Sequence, residues 1–145
     1  MRPIILAISV AVALIAAAPS KAAGEIRILG SPGGAIGPFV ALFETVRASG
    51  ERVVIDGPCL SACTLVLSLV PRDRICVTPR AVLGFHAARY VTPDGRVIID
   101  PDASAIVLRT YPPAIRAWIA RRGGLTDRVL LLRGRALASM FRHCR

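Results

Sequence analysis

Arg52-Val53-Val54-Ile55-Asp56-Gly57-Pro58-Cys59-Leu60-Ser61-Ala62-Cys63-Thr64-Leu65-Val66-Leu67-Ser68-Leu69 is the stretch that decides the fold. Val53, Val54 and Ile55 are apolar on both sides of an extended segment, as in a strand covered on both faces. Gly57-Pro58 then forces a turn. Ala62, Leu65, Val66 and Leu69 share one side of a buried helix over 61–69, which Pro71 ends. Upstream, residues 25–29 alternate charged and apolar, as a short strand does. Gly30-Ser31-Pro32-Gly33-Gly34 is a tight turn, and Phe39, Val40, Leu42, Phe43 and Val46 recur at helical spacing up to Ser49-Gly50. Downstream, 74–77 and 82–85 read as strands. Tyr90-Val91 and 97–99 flank Pro93-Asp94-Gly95 as a β-hairpin arm. Asp102 is placed to cap a helix reaching Arg122, which Pro112-Pro113 should break or kink. Beyond Gly123-Gly124, a strand is expected over 129–132 and a closing helix over 135–141. Strands alternating with helices predict an α/β domain with a mainly parallel sheet.

The chain has 145 residues. Met1-Arg2-Pro3, an apolar run over 4–18 and Pro19-Ser20-Lys21-Ala22-Ala23 have the form of a secretory signal peptide with its cut before Ala23. The run is about 15 residues, short of the roughly 20 that a spanning helix needs. Residues 1–22 therefore read as a signal peptide and 23–145 as a single domain in the periplasm or outside the cell; left uncut, the segment would anchor the chain in the membrane. In an oxidising compartment Cys59, Cys63, Cys76 and Cys144 are disulfide candidates with three pairings open. Either Cys59 or Cys63 can reach Cys76 or Cys144 in those pairings. Zinc held by Cys59, Cys63, Cys76 and His86 is the lesser alternative because no Cys-x-x-Cys occurs; no metal and no cofactor is expected.

The formal charge is +10, and +8 without Arg2 and Lys21. From Arg109 onward nine arginines stand against Asp127 alone. A solvated face is the plain reading; contact with an anionic envelope surface is the other. One Trp, two Tyr and four Phe leave little aromatic surface for stacking bases, so nucleic acid is not expected as a partner.

Chemistry concentrates at the unit of strand, turn, Ser61 and helix. A helix start presents free backbone N–H groups and positive potential, which suit an oxyanion. The glycine turn at Gly33-Gly34 can supply a second N–H, because glycine lets a substrate approach closely. A serine hydroxyl needs a base. The chain beyond residue 22 has no lysine, which leaves His86, at the end of an apolar strand, or His143, near the C-terminus and read as a surface residue.

Ser31-Pro32-Gly33-Gly34, Cys59-Leu60-Ser61-Ala62-Cys63, Arg74-Ile75-Cys76-Val77-Thr78-Pro79 and Gly84-Phe85-His86-Ala87-Ala88, in that order, resemble the proteolytic subunits of Clp proteases. The nearest likeness is to small exported periplasmic-protein-like members of the same Clp/crotonase superfamily. The resemblance covers roughly 25–140. It implies a Clp-protease/crotonase-like α/β core; the chain departs from the larger family in having one strand before the Ser-Pro-Gly-Gly turn where that family has a further strand–helix unit, so the core is either trimmed at its N-terminus or has its sheet completed by another chain, as in a homo-oligomer. It implies Ser61 as nucleophile, His86 as general base 25 residues on, and the N–H groups of Gly34 and Ala62 as the oxyanion hole. The family's third member is an aspartate; Asp127, 41 residues after His86, is the nearest candidate, with Asp100 and Asp102 weaker.

Each residue also has a plain structural reading. Ser61 can be a helix N-cap, His86 can bond a backbone carbonyl, and Asp127 can cap a helix or pair with Arg128. The expected function is a serine hydrolase, peptidase-like in its acyl transfer, acting on a peptide or protein; the alternative is a non-catalytic binding or scaffold protein that keeps the fold.

Overall fold

A computed structural model describes residues 24–145. The signal-peptide reading of 1–22 lies outside them. Among the described residues, no helix is long and apolar enough to cross a membrane.

The chain is mixed α/β. Strands β1 (Glu25–Ile28), β2 (Arg52–Ile55), β4 (Ile75–Val77) and β9 (Arg142–His143) form one sheet in the order β1-β2-β4-β9, parallel throughout. A second sheet runs β3-β5-β8, with β3 (Pro58–Leu60) parallel to β5 (Val82–Phe85) and β8 (Leu130–Arg133) antiparallel to it. The two sheets meet at a corner. Only Asp56 and Gly57 separate β2 from β3, and Ser31, just past β1, bridges to Cys59 on β3. Gly57 makes the corner feasible: a Cβ there would stand 2.0 Å from the Leu29 carbonyl oxygen. Asp56, 6% exposed, holds the corner from the inside. It accepts from Thr78 Oγ1 at 2.6 Å, from Arg80 at 2.5 and 3.1 Å, and from Arg27 at 3.0 Å, so one carboxylate ties the exits of β2 and β4 to β1.

The apolar run of β2 is as buried as its composition predicts, and with Ile75, Val77, Leu83 and Phe85 it forms the core. Helix α1 (Ile36–Ser49) lays Phe43 and Val46 on that core. Helices α3 (Pro101–Thr110) and α4 (Pro113–Ala120) are separate, broken at Tyr111-Pro112 as the paired prolines require. Phe85 meets Tyr111 edge-on at 5.3 Å and Trp118 at 6.0 Å, locking both helices to β5. The hairpin arm exists as β6 (Arg89–Val91) paired antiparallel with β7 (Val97–Ile99).

Three local expectations are corrected. The segment 61–69 is not one helix: it starts as a 3₁₀ turn over Ser61–Leu65 and becomes α2 at Val66–Leu69. Helix α3 is capped by Asp100, not Asp102. Pro101 fills the first helical position, whose N–H needs no partner, and the Asp100 carboxylate accepts from the Ala103 N–H at 2.9 Å. The closing segment shortens to α5 (Gly134–Ala138) and is followed by β9.

The cysteines also resolve differently from a staple between the elbow and the distant pair. Cys59 bonds Cys63, with Cα atoms 5.3 Å apart, because the tight 3₁₀ turn folds Cys63 back over the strand end. Cys76 bonds Cys144, fixing β9 beside β4. With all four cysteines oxidised, the zinc alternative has no thiolates left. Disulfides of this kind fit a protein exported to an oxidising compartment.

Candidate functional site

Parallel pairing of β3 and β5 erases most of the sequence distance between Ser61 and His86. Leu60 lies opposite Gly84 in that register, so Ser61 and His86 leave the same end of the sheet. Both line a cavity of about 250 Å³, together with Gly34, Ala62, Leu65, Arg89, Val107 and Tyr111. The volume is small beside the 300–1,000 Å³ of typical ligand pockets and suits one side chain or a short acyl group.

Ser61 has φ 53°, the one non-glycine residue with positive φ among those described. A side chain held in that region costs about 1–3 kcal/mol and persists only where its surroundings dictate it. Here they do. The Cys59–Cys63 disulfide spans the serine. Thr64 Oγ1 donates to the Ser61 carbonyl at 2.6 Å, and since that hydroxyl has only one proton, Tyr111 O–H must donate to Thr64 Oγ1, also at 2.6 Å. Burial pushes the Tyr111 phenol up to about 12, against the opposing effect of the Thr64 bond, so it stays a neutral donor. Ser61 caps nothing: the residue before the turn is Leu60, and no side-chain cap is made. The plain N-cap reading therefore fails.

The glycine turn is pinned to this elbow. Ser31 N–H donates to Pro58 O at 2.7 Å, and Leu60 N–H to Ser31 O at 2.9 Å. Gly33, at φ 86°, sits so close that a Cβ would meet Leu60 O at 2.5 Å and Ser61 Cβ at 2.6 Å. Gly34 and Ala62 consequently flank Ser61 from two elements, and the amide of Ala62, in the first turn of a helix, has no intrahelical partner.

His86 is partly buried just past β5, and its loop is anchored on both sides. Ala87 N–H donates to Thr126 O at 2.7 Å, and Ala88 N–H to the buried Ser104 Oγ at 2.8 Å. His86 Nδ1 lies 2.6 Å from the Ala87 carbonyl oxygen. A carbonyl only accepts, so Nδ1 carries the hydrogen and Nε2 the lone pair. Arg89 reaches that Nε2 with a guanidinium N–H at 3.4 Å. No hydrogen bond joins Ser61 Oγ to His86 Nε2, and no carboxylate reaches the imidazole among the described residues.

No hydrogen bond joins Asp127 to His86, although its neighbour Thr126 is anchored to Ala87. Asp127 is exposed, outside the cavity, and its side chain neither caps a helix nor pairs with Arg128. Asp100 is occupied by its cap and Asp102 is exposed on α3. His143 lies on β9 in a different, basic cleft with Arg27, Arg52, Arg142 and Arg145. Arg122 does not join it, stacking instead on Trp118 at 4.0 Å. Thr64, Tyr111 and Arg89 escape a motif-based reading because their roles arise only when α3, the elbow and the arm pack together. No protein-family model matches the sequence, and a search of curated proteins finds no relative.

Proposed function

We propose that this chain is an exported serine hydrolase with a Clp-protease/crotonase-like core, acting by acyl transfer through Ser61 and His86. The observation that carries the reading is the strained, disulfide-clamped Ser61 sharing a cavity with a His86 whose Nδ1–H tautomer puts the lone pair on Nε2, where it can accept a proton once Arg89 moves off it. Nε2 takes the hydroxyl proton as Ser61 Oγ bonds to the substrate carbonyl carbon. The oxyanion is held by the Gly34 and Ala62 N–H groups, the leaving group departs with the proton from Nε2, and water hydrolyses the acyl-enzyme by the same steps in reverse order.

The Ala87 carbonyl stands where a triad has its carboxylate. It fixes the tautomer and the ring, the part of the aspartate's role whose loss costs about 10⁴ in turnover. It supplies no full charge to stabilise the imidazolium, so the expected enzyme is slow. The second reading, a binding or scaffold protein without turnover, is favoured by Arg89 on Nε2 and by the lack, among the described residues, of a carboxylate hydrogen-bonded to His86. Hydrolysis of activated aryl esters separates the two. The disulfide-intact protein should turn them over, and Ser61→Ala and His86→Ala should each remove that activity; equal rates in all three proteins would leave the scaffold reading standing.

A further inference from the structure

We infer that Arg89 is the specificity-determining residue of this site and that the substrate carries a carboxylate beside its scissile carbonyl; the inference rests on the hydrolase reading above. Arg89 lines the cavity at the base of the arm. Its side chain forms no ion pair among the described residues, and its polar contact is His86 Nε2 at 3.4 Å. The acid beside its cross-strand partner Ile99 is Asp100, whose carboxylate is already used on the Ala103 N–H. The cavity thus has an apolar wall of Leu65, Val107 and Tyr111, amides that favour negative charge, and a cation with no counter-charge.

That cation also latches the base. While Arg89 donates to Nε2, the lone pair cannot receive the Ser61 proton. A substrate carboxylate is a far better acceptor for a guanidinium than a neutral imidazole, and it binds by charge-assisted, often bidentate hydrogen bonds. Drawing Arg89 onto the substrate frees Nε2, so one contact both selects the substrate and completes the catalytic pair. A neutral substrate of the same size binds without releasing the latch.

Matched esters test this. On the leaving-group side the pair is 4-butyryloxybenzoate against its methyl ester; on the acyl side it is the p-nitrophenyl ester of N-succinyl-alanine against that of N-acetyl-alanine. In wild type the charged member of at least one pair should be favoured about ten- to hundredfold in kcat/KM, the worth of a charged hydrogen bond. The pair that responds identifies which side of the scissile bond bears the carboxylate. Arg89→Gln should collapse the preference, slowing the charged ester and speeding the neutral one through kcat, and Arg89→Lys should restore part of it. Arg89 is exposed, so its variants should melt with wild type. Turnover that depends on Ser61 but ignores substrate charge, or an unchanged preference in Arg89→Gln, overturns the inference and leaves the hydrolase reading intact. No turnover of any ester overturns both.

Discussion

Ser61 is the residue at which local preference and global structure disagree. Serine has no reason of its own to sit at φ 53°, and the elbow holds it there with a disulfide, a hydroxyl chain from Tyr111 and the close packing of Gly33. Such conflicts concentrate where function requires them. The consequence is measurable. Ser61→Gly removes the strained side chain, and although glycine gives back about 0.5–1 kcal/mol in unfolded-chain entropy, the variant should still be more stable than Ser61→Ala by about 1 kcal/mol. Urea unfolding followed at Trp118, the chain's single tryptophan and a buried one, gives that difference directly. A Gly variant no more stable than the Ala variant would mean the elbow stores no strain.

Among the elements, those with a strong local pattern are legible in the sequence itself. The strand at Val82–Phe85, the turn at Gly33-Gly34 and the break at Pro112 follow from side-chain chemistry alone. Strands β3 and β9 do not: β3 begins inside the Gly57-Pro58 turn and β9 follows the closing helix, and each exists through its pairing with β5 or β4. The disulfide pairing is equally hidden, since it depends on the 3₁₀ start of 61–69 and on β9 reaching β4. The two bridges should differ in weight. Closing a separation of 68 residues restricts the unfolded chain by about 4 kcal/mol, against about 2 kcal/mol for a separation of 4. Replacing Cys76 and Cys144 by Ala should therefore cost roughly twice as much stability as replacing Cys59 and Cys63, yet only the second pair should abolish turnover. Denaturation midpoints and ester rates on the same two proteins check both halves; a dominant stability loss from the elbow bridge would contradict this division.

At the scale of the whole molecule, the corner between the sheets depends on one carboxylate. Arg80 first, then Thr78 and Arg27, hold Asp56 well below its ordinary value of 3.8 despite the opposing effect of burial. Because the folded value is the lower one, this contribution is fully present above pH about 4 and is lost as the pH falls below it. Acid unfolding should start in that range, and Asp56→Asn should be less stable at neutral pH with a flatter acid limb; an unaltered acid limb would assign the acid sensitivity elsewhere. The same corner sets β3 beside β5 and so places Ser61 and His86 at one cavity, which makes the catalytic pair the claim on which the account turns. The most direct measurement is reaction of the disulfide-intact protein with a fluorophosphonate, with the modified peptide mapped by mass spectrometry. A single adduct on Ser61 is expected, slowed strongly in His86→Ala and absent in Ser61→Ala; no adduct, or one that forms equally well without His86, would rule out the catalytic pair.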